Sequence, residues 1–213
     1  MKATTRSTII ASLLCFATPA MAQDVRITTF KTDSTYTLND QAFTVTRTQN
    51  TAAILQGDFA LTSRACPPHC LQPMISANGV ATLGELEVMS FLEDRVTNGT
   101  GLLIDARAPT DFRAASIPGS VNVPFPTLGK DNRFRGDILR ALGALDQGDD
   151  TLDFSDAMSL TFYSGGPWSN DASTAIDHLL DAGYPSDKLF YYRGGIQAWA
   201  HAGLTVQSSQ NPG

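Results

Sequence analysis

Three groups of residues in this chain have types and spacings that could carry chemistry. The first lies in Phe162-Tyr163-Ser164-Gly165-Gly166-Pro167-Trp168-Ser169-Asn170-Asp171, where an apolar run enters a glycine-rich stretch and then helical spacing. A strand, loop and helix in that order set successive backbone N–H groups around one point at the positive end of a helix, so Ser164, Gly165, Gly166, Pro167, Trp168, Ser169 and Asn170 read as an anion cradle. The second group is Asp105 and Arg107, just past the apolar run Leu102-Leu103-Ile104. Asp105 could accept hydrogen bonds from the loop while Arg107 pairs with it or faces an anion. A structural ion pair is the plainer alternative.

The third group is Cys66-Pro67-Pro68-His69-Cys70. A disulfide is the first expectation, and the small loop it closes would contribute only about 2 kcal/mol by chain entropy. A thiol-redox or sulfur-handling pair is the second reading, although three residues separate the cysteines and not the two of common redox motifs. A metal site is the third, and Cys66, His69 and Cys70 supply too few ligands for a closed tetrahedral shell, so no metal is expected. Ser164 could also be a hydrolytic nucleophile. Its surroundings are not the Gly-x-Ser-x-Gly elbow, and the candidate bases are limited to His69, His178 and His201.

The elements that must position these groups follow from periodicity. Met158 to Tyr163 is apolar enough for a buried strand, and Asp171 onward has helical spacing with Asn170 or Asp171 as N-cap. Thr82-Leu83-Gly84-Glu85 has capping-box spacing and opens a helix to about Val96, which Asn98-Gly99 stops. Leu102 to Ala106 and Val121 to Val123 read as strands, with a short helix around Asp111-Phe112-Arg113 and a turn at Ile117-Pro118-Gly119 between them. Phe134 to Leu145 reads as an amphipathic helix and Gln147 to Asp153 as an acidic loop. Asp24 to Thr48 reads as β, with a hairpin closing at Asn39-Asp40-Gln41. Trp168 is expected at a pocket mouth or in the core, and Trp199 in the core.

Residues 1–22 carry Lys2 and Arg6, an apolar run from Ile9 to Phe16 and a small-x-small end at Ala20-Met21-Ala22, the pattern of a cleavable signal peptide. The run is too short to span a bilayer, so no membrane association is expected after cleavage. Removing those 22 residues from 213 leaves 191, with 13 basic against 21 acidic side chains, a net of −8. Such a chain lacks the basic footprint of a nucleic-acid binder. Cleavage also removes Cys15, leaving Cys66 and Cys70 as an even pair in a periplasmic or secreted, oxidising setting.

Leu160 to Leu204, with Ala182-Gly183-Tyr184, the strand Lys188 to Tyr192 and Arg193-Gly194-Gly195-Ile196-Gln197-Ala198-Trp199, resembles the closing half of a rhodanese domain. Leu102 to Arg107, Asp111-Phe112 and Ser116-Ile117-Pro118-Gly119-Ser120-Val121-Asn122-Val123-Pro124 resemble its upstream segments. The resemblance implies an α/β fold, a rhodanese-like central parallel sheet flanked by helices, here preceded by a small β-rich N-terminal extension. The organisation expected is a signal peptide at 1–22, the extension with its Cys-Pro-Pro-His-Cys segment at 23–80, the rhodanese-like domain at 81–207 and a tail at 208–213.

The family's activity is thiosulfate sulfurtransfer through a loop cysteine held as a persulfide. That position is Ser164, and Ser169 falls where many members keep a cation. Some relatives pair a Cys-x-Gly-Pro-Trp-Cys loop with a Cys-Pro-Pro-x-Cys segment, and this chain resembles one of them with both loop cysteines replaced by serine. An alcohol is protonated at neutral pH and holds no transferable sulfur, so the resemblance argues against the family's activity here. The expectation is an exported rhodanese-like protein without cofactor, acting as a binding module for a small sulfur or oxo anion or for a protein partner. The alternative is a sulfurtransferase or thiol-exchange enzyme using Cys66 or Cys70. The two differ in whether the Cys66 segment lies near the loop.

Overall fold

The computed structural model describes residues 24–148 and 151–208. The signal-peptide segment 1–22 and nearly all of the 208–213 tail lie outside the described residues.

A hairpin opens the fold, with β1 (Asp33–Leu38) and β2 (Gln41–Thr46) paired antiparallel so that Leu38 faces Gln41. Asn39 and Asp40 alone form the turn, both left-handed at φ 50° and 63°. These are the residue types that tolerate a type I′ turn, whose twist matches that of the strands. Tyr36 and Val45 are buried on one face, and the Tyr36 hydroxyl donates to the Pro118 carbonyl at 2.5 Å. Gly119, at φ 68°, lets the Tyr36 ring close in: a Cβ there would lie 2.8 Å from Cε2. Residues 47–80 continue without further strands, and their one short helical element is a 3₁₀ turn at Gly57–Ala60. The extension is therefore a single hairpin followed by a long irregular segment.

The central sheet has five strands in the order β3-β9-β8-β4-β5, and every pair is parallel. In chain order the elements from β3 on are β3 (Ala81–Thr82), α1 (Glu85–Phe91), β4 (Gly101–Asp105), α2 (Pro109–Ala114), β5 (Val121–Asn122), α3 (Arg135–Ala141), β6 (Leu145–Gly148), β7 (Thr151–Asp153), β8 (Ser159–Tyr163), α4 (Asp171–Asp181), β9 (Leu189–Tyr192) and α5 (Gly195–His201). The middle strand β8 is buried at all five positions, as expected of a strand covered on both faces. Strand alternation divides the apolar residues between two layers. Ile104, Phe162 and Tyr191 join Leu139, Ile176 and Leu179 on one face. Leu103, Tyr163 and Tyr192 join Val88, Leu92, Ile196 and Trp199 on the other.

Three local expectations shift. The first helix is capped two residues later than the Thr82–Glu85 spacing suggests: Glu87 accepts from the Gly84 N–H at 3.1 Å, and the helix continues as a wider π turn over Leu92–Val96. The helix expected over 134–145 stops at Ala141, because Gly143 takes φ 97° and turns the chain. The acidic stretch expected as a loop is then the antiparallel pair β6–β7.

Candidate functional site

The loop after β8 leaves the sheet at its middle. Tyr163 is in register with Asp105 of β4 on one side and Tyr192 of β9 on the other. Residues following a central parallel strand are held at the carboxyl edge of the sheet, where such folds build sites. The Tyr163 hydroxyl accepts from the Ile117 N–H at 3.1 Å and meets the Ser120 hydroxyl at 2.9 Å. Burial, followed by the nearby Asp105 charge, holds this phenol well above its ordinary pKa, so it stays neutral and structural.

Ser164 is 1% exposed, and its hydroxyl reaches a single partner, the Ser169 carbonyl, at a long 3.5 Å. None of His69, His178 and His201 hydrogen-bonds to it. The loop's carbonyls are pinned from behind: Ile196 N–H donates to Ser164 O at 3.0 Å and Gln197 N–H to Gly165 O at 3.1 Å. Gly195, at φ 59°, makes this approach possible, since a Cβ there would stand 2.7 Å from the Gly166 nitrogen. Ser169 N–H closes a turn onto Gly166 O at 3.0 Å. Among the described residues, the N–H groups of Gly165, Gly166, Trp168 and Asn170 donate to no protein acceptor. Pro167 has none to give. Four loop N–H groups are thus left without a protein acceptor. Asn170 caps α4 without a side-chain bond, and the Ser169 hydroxyl accepts from Asp171 N–H at 3.4 Å instead.

Trp168 covers this loop. Its six-membered ring lies along Gly165, where a Cβ would come within 2.9 Å of Cζ2, and its indole N–H donates to Gln197 Oε1 at 2.5 Å. The Arg64 guanidinium sits 3.9 Å from the indole centroid, and the His69 ring meets it edge-on at 5.2 Å. Gln72 N–H donates to Pro167 O at 2.8 Å, while Arg193 holds the Gln72 carbonyl from the sheet side at 2.7 and 2.9 Å. The segment 64–73 is therefore a strap across the outside of the loop. Within it Cys66 and Cys70 form the expected disulfide, with Cα atoms 4.7 Å apart.

Asp105 and Arg107 are a buried pair. The carboxylate is fully buried and accepts from Arg107 Nε at 2.9 Å, from Nη2, and from the Arg107 N–H at 3.0 Å. Arg107 also donates to Ala115 O at 2.6 Å. Desolvation works against its charge, but the hydrogen bond and field of Asp105 outweigh that and raise its pKa. Neither residue bonds to the cradle loop. The Arg107 guanidinium, read from sequence as either pairing with Asp105 or facing an anion, is hydrogen-bonded to Asp105. Asp171, half-buried at the start of α4, has its carboxyl held above the usual value by burial, against a hydrogen bond with Ser169, and by the fields of Asp105 and Asp111. No group of three or more His, Cys, Asp or Glu among the described residues could hold a metal ion. No described helix is long and apolar enough to cross a membrane.

Sequence reasoning brought out the loop, the Asp105–Arg107 pair and the cysteines. It did not bring out Arg64 and Gln197, whose contacts with Trp168 join residues 104 and 29 positions apart and leave no local signal.

The family model for the rhodanese-like domain matches residues 89–202, more than half of the chain. The chain belongs to the rhodanese-like domain family. Among solved structures it is similar to a Bacillus halodurans protein, at 17% identity and TM-score 0.42, over 61% of this chain and 77% of that one. A thiosulfate sulfurtransferase from Pseudomonas aeruginosa matches at 22% identity and TM-score 0.41, over 62% of this chain but only 21% of that one. A rhodanese-related protein from Thermoplasma volcanium matches at 18% identity and TM-score 0.39, over 60% of this chain and 97% of that one. No curated protein matches.

Proposed function

We propose that this is an exported rhodanese-like module that binds through its loop and does not carry sulfur on it. The observation that supports the reading is Ser164 at the nucleophile position, 1% exposed, beside four backbone N–H groups without protein acceptors. Sulfur transfer needs a soft, ionisable atom at that point, and a hydroxyl supplies neither property. Anion binding needs only the donors. The ligand is a small sulfur or oxo anion, or an anionic group presented by a protein partner. Trp168 above the loop favours the partner, which can supply contacts beyond the charge itself.

Replacing Ser164 by Cys in a Cys66→Ser, Cys70→Ser background and treating the protein with thiosulfate tests this directly by intact mass. The expected result is a gain of one sulfur on Ser164→Cys and none on the parent protein. A sulfur adduct on the cysteine-free parent would overturn the proposal. No adduct on a folded Ser164→Cys protein would mean that the loop has lost its cradle geometry, and the anion reading would fall.

A second reading, thiol exchange through Cys66 and Cys70, draws on the strap's contacts with Trp168 and Pro167. These set the disulfide segment against the loop, with Cys66 exposed.

A further inference from the structure

On the other flank of Trp168 lies a groove of about 1070 Å³ between residues 47–62 and α5. Its walls include Ile54, Phe59, Leu61, Leu71 and the Trp168 indole. Two of these side chains remain largely in water although they are large and apolar: Ile54 and Leu71 are each 79% exposed. Gln197 fixes the walls to each other, since its Oε1 takes the indole N–H while its Nε2 donates to the Phe59 and Leu61 carbonyls at 3.2 and 3.1 Å. A site of this kind, mostly apolar with a few placed polar groups and of this size, is the usual form of a small-molecule pocket.

The charge of the lining is the second observation. The whole chain carries 21 acidic residues against 15 basic ones, yet among the described residues no Asp or Glu lines the groove, and the ionisable side chains that do are Arg47 and His201. Arg47 is held by Nε to Ala202 O at 2.8 Å and by Nη1 to Arg26 O at 3.2 Å, which leaves Nη2 without a hydrogen-bond partner among the described residues. A fixed guanidinium with one free edge in the lining of an apolar groove, with no carboxylate beside it among the described residues, selects for negative charge on a ligand.

We propose that this groove is a binding site for an amphipathic organic anion, an apolar body seated against Phe59, Leu71 and Trp168 with a single carboxylate or sulfonate at Arg47. The site goes beyond the loop proposal and does not depend on it, because it uses none of the loop's N–H groups.

Three probes of one chain length, decanoate, decanol and decylammonium, titrated below their micelle or solubility limits, test it by calorimetry together with tryptophan fluorescence. Decanoate should bind with a dissociation constant on the order of 10⁻⁴ M, in line with its size. It should bind about tenfold more tightly than decanol, with decylammonium weakest. Arg47→Gln should remove the preference for decanoate over decanol. Leu71→Glu, at an exposed position where folding is not at risk, should reverse the order of decanoate and decylammonium. Phe30→Glu, at a 94% exposed site away from the groove, should change nothing. Equal affinity for the anionic and cationic probes, no binding at all, or a Leu71→Glu protein with the parent's order of affinities would overturn the proposal.

Discussion

Replacing Asp105 by Ala is the sharpest test of what the buried pair does. The side chains of Asp105 and Arg107 are 0% and 9% exposed. The substitution strips Arg107 of its Nε and Nη2 acceptors and its own N–H of a third, leaving the Ala115 carbonyl as the guanidinium's remaining partner. Removing one member of a buried pair costs about 3–5 kcal/mol, because the remaining charge stays desolvated. In a chain of this length each kcal/mol shifts Tm by roughly 2–4 °C, so a fall of about 6–20 °C is expected. Urea unfolding followed by circular dichroism at neutral pH measures it, with an unchanged m-value showing that only stability moved. The double variant Asp105→Leu, Arg107→Met should recover most of the loss, since it leaves no unpaired charge. A single-variant loss below about 1 kcal/mol would refute the reasoning: the pair would then be solvated, and Arg107 would be free to serve an anion at the loop.

Two further outcomes follow from the same structure. The isolated protein should resist alkylation until reduced, and Cys66→Ser with Cys70→Ser should lower unfolding stability by about 2 kcal/mol; labelling without prior reduction would remove the disulfide. Asp171 has a folded pKa above the ordinary 3.8 through burial, so its neutral form is the one that stabilises. That contribution is fully present below the unfolded value and is lost as pH rises through the folded one. Asp171→Asn should therefore be more stable than the parent near pH 7 and indistinguishable from it near pH 3, and pH-dependent urea midpoints without that convergence would contradict the assignment.

Much of the sheet was legible because its signals are local. The apolar runs of β4 and β8 announce themselves within a few positions, as does the hairpin at Asn39-Asp40, whose turn closes one residue tighter than the Asn39-Asp40-Gln41 reading. The loop and its serine were legible for the same reason. The helix end at Ala141 was missed because the left-handed turn at Gly143 looked like an interior glycine. The long stretch 47–80 offered no periodicity, and nothing in it foretold that it would strap the loop. Arg64, His69 and Gln72 reach Trp168 and Pro167 by tertiary contact alone. Arg107 carried two readings from sequence, and burial decided between them: a guanidinium 9% exposed beside a buried carboxylate is a structural partner.

The most direct measurement of the central claim is steady-state thiosulfate:cyanide sulfurtransferase turnover by the mature protein alongside its Ser164→Ala variant. The account predicts no turnover above the uncatalysed rate in either, because residue 164 holds no sulfur. Turnover in the parent protein that Ser164→Ala abolishes would contradict it.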